Sequence, residues 1–181
     1  YPPSPKVVAA VQAVLNDGAD VLRLYPDPDA TALKQAIAVQ QNVDASQVFV
    51  GNGSDEVLAH IFKAFFLQDQ PILSPDISYS FYPVYSQFFA INTKTVPLND
   101  DFEVDVADYQ QPNGGIIIAN PNAPTSVALS LEKIEQLLQG NPDRVVVIDE
   151  AYVDFGAESA VTLVNKYENL VVCQTTSKSR S

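Results

Sequence analysis

The chain has a single cysteine, Cys173, among its 181 residues. An internal disulfide is therefore excluded. Because Cys173 follows the apolar run Leu170-Val171-Val172, it reads as a buried structural thiol in a reducing compartment. Positive charge is scarce too: 10 Lys and Arg stand against 22 Asp and Glu, for a net charge of -12. Such a chain repels phosphate backbones and anionic lipid, which argues against nucleic-acid and membrane partners. No apolar run reaches the length of a membrane span. The opening residues Tyr1-Pro2-Pro3-Ser4-Pro5 lack the basic and apolar regions of a secretory signal. A cytoplasmic protein is expected. The acids show no metal-ligand spacing, and the glycines form no Gly-Lys-Ser/Thr phosphate loop.

What the chain does have is alternation. Ser4 and Pro5 open a helix whose apolar face is Val7, Val8, Val11, Val14 and Leu15, and Gly18 closes it. A second helix is expected over 31–41, with Leu33, Ala36 and Ile37 inward. Then come a short strand at 48–50, a glycine turn at 51–54, and a helix over 55–66 burying Val57, Leu58, Ile61, Phe62 and Phe65. Strands follow at 71–73, 92–97, 115–119, 144–148 and 170–174, with helices at 131–138 and 160–167 and a polar surface excursion over 99–113. Continuous apolar strands between amphipathic helices indicate an α/β fold, a mostly parallel sheet with helices on both faces. One domain is the economical reading. Residues 175–181 form a polar loop after a strand, where such a domain would continue into a helix, so a piece of a longer domain is expected.

In open α/β sheets, ligands bind beyond the carboxyl ends of the strands. Past 48–50 lies Gly51-Asn52-Gly53-Ser54, and past 115–119 lies Asn120-Pro121-Asn122-Ala123-Pro124-Thr125. Asp149 and Tyr152 follow Ile148, and Ser177 and Lys178 follow Gln174. A glycine turn feeding a helix N-terminus suits a phosphate, although Ser54 also serves as a plain helix cap. Asp149 alone would equally be a cap or a salt-bridge partner, and Lys178 alone a solvated surface residue. Together they match the needs of a phosphorylated aldehyde of pyridine. A lysine supplies the amine that condenses with the aldehyde, an acid keeps the ring nitrogen protonated, and a helix N-terminus holds the phosphate. That cofactor is pyridoxal 5'-phosphate.

The ordered motifs YPDPDATALKQAIA, VFVGNGSDEVL, YSFYPVY, NPNAPTS, VVVIDEAYVDF and TTSKSRS resemble those of the fold-type-I aminotransferases across nearly the whole chain. Several are shared with aromatic aminotransferases and with threonine-phosphate decarboxylase. The resemblance implies that the chain is part of the large, cofactor-binding domain. It further implies that Lys178 is the Schiff-base lysine, Asp149 the partner of the pyridine nitrogen and Tyr152 a donor to the ring oxygen. Gly53, Ser54, Asp55 and Ser177 would form the phosphate cup. Tyr79 would stack on the ring, although Tyr79, Phe81, Tyr82, Tyr85, Phe88 and Phe89 also read as core or interface. Tyr25 would reach a partner subunit's phosphate, implying a homodimer, or simply anchor a loop. The substrates implied are an amino donor and a phosphorylated keto compound. Ala123 stands where the family usually carries an asparagine that bonds the ring oxygen. The arginines that the family places beyond the lysine, for the cofactor phosphate and the substrate, have no counterpart here; a non-catalytic remnant of the fold is the alternative reading.

Overall fold

The structure is a computed structural model describing residues 2–18 and 20–180. Tyr1 and Ser181, at the two ends of the stretches read above, lie outside the described residues. The chain divides into two compact units, residues 1–50 with 176–181, and Gly51–Thr175.

In the first unit, helix α1 spans Pro5–Asn16, with the Ser4 side chain accepting from the Val7 amide and Pro5 in the first turn. Its cap is as expected, but its burial is not. α1 buries none of its residues, and Val7, Val8, Val11, Val14 and Leu15 are 44–56% exposed. Helix α2, Thr31–Gln41, buries Ala38 rather than the expected trio, leaving Leu33 and Ala36 exposed. The Asp27 carboxylate braces its start, accepting from Thr31 N at 2.7 Å and Asp29 N at 3.0 Å. Residues 48–50 form no strand. Three apolar residues need a neighbouring edge to become one, and no ladder includes them.

The second unit is built on five parallel strands in the order β2-β1-β3-β4-β5. They are β1 Ile72–Pro75, β2 Thr93–Val96, β3 Ile116–Ala119, β4 Val146–Asp149 and β5 Leu170–Cys173. Every residue of β1, β3 and β4 is buried, which explains why β3 and the run leading into Asp149 in β4 read as unbroken apolar stretches. Alternate residues serve opposite faces. Ile116, Ile118, Val146 and Ile148 meet Ile134, Leu137 and Leu138 of helix α5, Leu131–Gly140. Ile72, Ile117, Ala119, Val147 and Cys173 meet Leu58, Ile61 and Phe62 of helix α3, Gly53–Phe65, and Tyr82 and Tyr85 of helix α4, Tyr82–Phe89.

Several local expectations change. Helix α3 begins at Gly53, with Asn52 as its N-cap, so Ser54 lies inside the helix rather than capping it. Phe65 is 43% exposed while Phe66, just past the helix, is fully buried and packs edge-on against Phe62 at 5.2 Å. The expected helix over 160–167 is a single 3-10 turn, Ala160–Leu163; its β-branched Val161, Thr162 and Val164 disfavour continued helix. The polar stretch over 99–113 is no mere surface excursion. Val104 and Tyr109 enter the core beside α5, and Asp105 caps a short 3-10 turn by accepting from Ala107 N at 3.0 Å.

Candidate active site

The strand order reverses between β1 and β3, since β1 leads to β2 on one side and the chain then returns to the other. Such a reversal opens a crevice at the carboxyl ends of the strands. The loops leaving β1 and β3 are tied together there. Ser78 Oγ donates to Asn122 Oδ1 at 2.8 Å, and Asn122 Nδ2 donates to Ile77 O at 2.8 Å and Thr125 Oγ1 at 3.0 Å. Both amide hydrogens of Asn122 are thus engaged by acceptors in the two loops. Asn120 is likewise consumed, bracing Leu129 through its side chain.

Asp149 is the last residue of β4, in register with Ala119 and Cys173. Two-residue alternation turns it toward the face covered by α3 and α4, the face of Val147. It is 4% exposed. Oδ2 accepts from the Tyr82 hydroxyl at 2.8 Å and Oδ1 from Ala151 N at 3.2 Å. Burial pushes this carboxyl above its ordinary value; the Tyr82 and Ala151 hydrogen bonds oppose the shift, and the nearby Asp55 charge adds to it. Glu150, one residue on, faces the other way. It accepts from Ser159 Oγ at 2.7 Å, Ala160 N at 2.6 Å and Gln174 Nε2 at 2.8 Å.

Gly53, Ser54 and Asp55 form the first turn of α3, with Gly53 at φ +82, a left-handed backbone that glycine adopts without strain. The first N–H groups of a helix lack intrahelical acceptors and face outward with the positive end of the dipole. The acids of this turn are directed to protein donors. Asp55 Oδ1 accepts from the Tyr79 hydroxyl at 2.9 Å and from the Tyr85 hydroxyl at 3.3 Å, while Glu56 takes the Asn52 amide and side chain. Burial and the Asp55 carboxylate push the Tyr79 phenol up to about 12, so it donates at neutral pH.

The structure therefore joins Asp55, Tyr79 and Asp149 through Tyr82, whose ring meets that of Tyr79 edge-on at 5.4 Å. Tyr152 lies past β4, 38% exposed, its ring 6.0 Å from that of Phe155. Tyr25, Ser177 and Lys178 belong to the first unit, and all three are exposed. Tyr82 was read only as core or interface, and it is buried in the core, but its bond to Asp149 escaped the sequence reading. Its signal was Pro83 in the first turn of a helix that places Tyr82 and Tyr85 on one face.

A doubly wound sheet with a buried acid at a strand's carboxyl end and a glycine-led helix beside it is the layout of a small-molecule enzyme site. The chain belongs to the family described as aminotransferase class I and II, which it matches over residues 1–181. It is 83% identical over its whole length to a histidinol-phosphate aminotransferase of Acinetobacter baumannii, of which it covers 50%. It is 62% identical to histidinol-phosphate aminotransferase 2 of Dechloromonas aromatica, covering 51% of that protein. The chain thus spans about half the length of the curated relatives it matches. Among solved structures, 98% of it overlays half of the histidinol-phosphate aminotransferase of Sinorhizobium meliloti in complex with pyridoxal-5'-phosphate, with TM-score 0.84 and 23% identity. The L-threonine-O-3-phosphate decarboxylase of Porphyromonas gingivalis overlays 93% of the chain, with 53% of its own length covered, at TM-score 0.75 and 26% identity.

Proposed function

We propose that the protein to which this chain belongs is a pyridoxal-phosphate-dependent aminotransferase, interconverting imidazole acetol phosphate and L-histidinol phosphate with glutamate as amino donor. The observation that carries this reading is Asp149, an inaccessible carboxylate at the carboxyl edge of a parallel sheet. Burial disfavours its charge, so a cationic ring nitrogen is the partner from which it gains most. The residues present fit the cofactor on that ground. When bound, the cofactor supplies an aldehyde that condenses with amines and a ring that accepts electrons. Asp149 holds the proton on the ring nitrogen, and Tyr152 donates to the ring oxygen. The Lys178 amine would anchor the cofactor and would carry the proton at the substrate carbon. Gly53, Ser54 and Asp55 offer the first amides of α3 to the phosphate, joined by the Ser177 hydroxyl, and Tyr79 covers the ring.

The choice of substrate rests on the likeness, over the whole of this chain, to proteins named for histidinol phosphate, which supports a reaction in histidine biosynthesis. The chain is read as part of the large cofactor-binding domain. The fully exposed Tyr25 supports a homodimer in which it reaches the neighbouring subunit's phosphate. The cytoplasm is the proposed compartment; among the described residues no helix is long and apolar enough to cross a membrane.

The test is an assay of the complete protein with imidazole acetol phosphate, phenylpyruvate and threonine phosphate in parallel. Turnover of the first is expected to dominate, and Lys178→Ala to abolish both turnover and the visible absorbance of the bound cofactor. Preference for phenylpyruvate, or carbon dioxide release from threonine phosphate, would replace the substrate assignment. Full activity of the lysine variant would refute the mechanism.

A further inference from the structure

The geometry points to Tyr82 as a positioning residue for Asp149: by donating to Oδ2, its hydroxyl fixes the carboxylate in the orientation that meets the cofactor's ring nitrogen. This rests on the reading of Asp149 given above. The bond is 2.8 Å long, between side chains 2% and 4% exposed, so water does not compete for either end. Tyr82 opens α4, and its ring is met edge-on by Tyr79 at 5.4 Å and lies tilted against Phe62 at 6.3 Å. A tyrosine has two side-chain torsions; with the ring wedged, the hydroxyl position is set. Its other side is set as well, because Ala151 N–H holds Oδ1 at 3.2 Å. A carboxylate bonded at both oxygens from two directions keeps its plane.

The charged and titratable groups around Asp149 are Asp55 of α3, Tyr79, Tyr85 of α4 and Cys173 of β5. Asp55 drives the carboxyl toward its protonated form, and burial does the same. The Tyr82 hydrogen bond, with that of Ala151 N–H, acts the other way. The phenol itself stays protonated, its pKa pushed well up by burial and by the Asp149 charge, so it is a donor throughout the working range. A phenylalanine would fill the same volume and pack against the same rings. The hydroxyl is thus superfluous to the core, and its bonding partner is Asp149.

The test uses the protein labelled with carboxyl-13C aspartate and free of cofactor, the Asp149 resonance being assigned by its loss in Asp149→Asn. Tyr82→Phe is expected to move the Asp149 titration midpoint upward, and to weaken pyridoxal phosphate retention by about tenfold, the scale of one hydrogen bond to a charged group. Site-specific 3-fluorotyrosine at position 82, a stronger donor of nearly the same size, is expected to move the midpoint downward. A residue that merely filled space would move neither. Unchanged midpoints in the folded phenylalanine or fluorotyrosine protein overturn the proposal. Failure of the underlying reading looks different: Asp149→Asn would then retain pyridoxal phosphate as tightly as the parent protein, whatever the midpoints do.

Discussion

Replacing Asp149 with asparagine is expected to stabilise the cofactor-free protein while destroying cofactor retention. The carboxylate is 4% exposed and sits beside the charge of Asp55. An ion removed from water carries an effective penalty of several kcal/mol, of which its hydrogen bonds return a part. The amide keeps an oxygen for Tyr82 but presents an NH2 group to Ala151 N–H, losing that bond, worth about 0.5–1.5 kcal/mol. The net expectation is a gain of about 1–3 kcal/mol near neutral pH. Its pH dependence follows from linkage. The folded protein raises the Asp149 pKa above its ordinary value of 3.8, so the folded state binds the proton more tightly than the unfolded chain does. Stability from this group is therefore fully present below 3.8 and is lost as pH rises through the raised folded value. The variant's advantage should be largest at neutral pH and shrink on acidification toward 3.8. Urea unfolding of both proteins, without cofactor, at a series of pH values measures it. A variant less stable than the parent at neutral pH, or a gap independent of pH, would refute the electrostatic account of this site.

Phe62→Ala should cost about 3–5 kcal/mol by opening a cavity where Phe66, Tyr82 and Tyr85 converge; a urea midpoint within error of the parent's would contradict the packing described. Gly115→Ala is expected to destabilise by at least about 1–3 kcal/mol, the scale of a strained backbone. The glycine adopts φ +137, and an added Cβ would lie 2.6 Å from the Phe66 ring; thermal unfolding reads the loss. Tyr79→Phe should lower stability by about 0.5–1.5 kcal/mol through the lost bond to Asp55, while preserving the ring proposed to cover the cofactor, so cofactor retention should fall far less than in Asp149→Asn.

The sheet was legible because its central strands β1, β3 and β4 are covered on both faces, and a run such as Val145-Val146-Val147-Ile148 has few other uses. Helices α3 and α5 announced themselves by apolar spacing; the cap at Ser130, whose side chain accepts from Lys133 N, is supplied by the structure. Residues 48–50 misled because apolar composition without length does not say whether a ladder edge is available. Helix α4 was hidden by its own wealth: with apolar or aromatic residues at six of its eight positions, no periodicity stands out, and the phase that aims Tyr82 at Asp149 depends on where the helix begins. The tertiary partner, not the local sequence, decided which tyrosine does what.

The neighbours Asp149 and Glu150 show how strand parity sorts chemistry from structure. Both are acids, both are almost fully buried, and they differ in sequence by one position. Along β4, Val147 joins the core under α3 and α4, and Val146 and Ile148 join the one under α5; Asp149 continues the first series. It therefore looks toward the crevice, held by one tyrosine and one backbone amide. Glu150 emerges toward the opposite core, where Ala160 N–H and the Ser159 and Gln174 side chains surround it. Its oxygens are met by these protein donors, which makes it a clamp between the β4 and β5 ends. The same inaccessible carboxyl is thus a fastening in one direction and, in the other, a charge awaiting a cation. An exchange of the pair, Asp149→Glu with Glu150→Asp, keeps the net charge yet should fail at both tasks, since each pocket is matched to its own side-chain length. Each single exchange should then lower a different quantity: thermal stability for position 150, and pyridoxal phosphate retention for position 149.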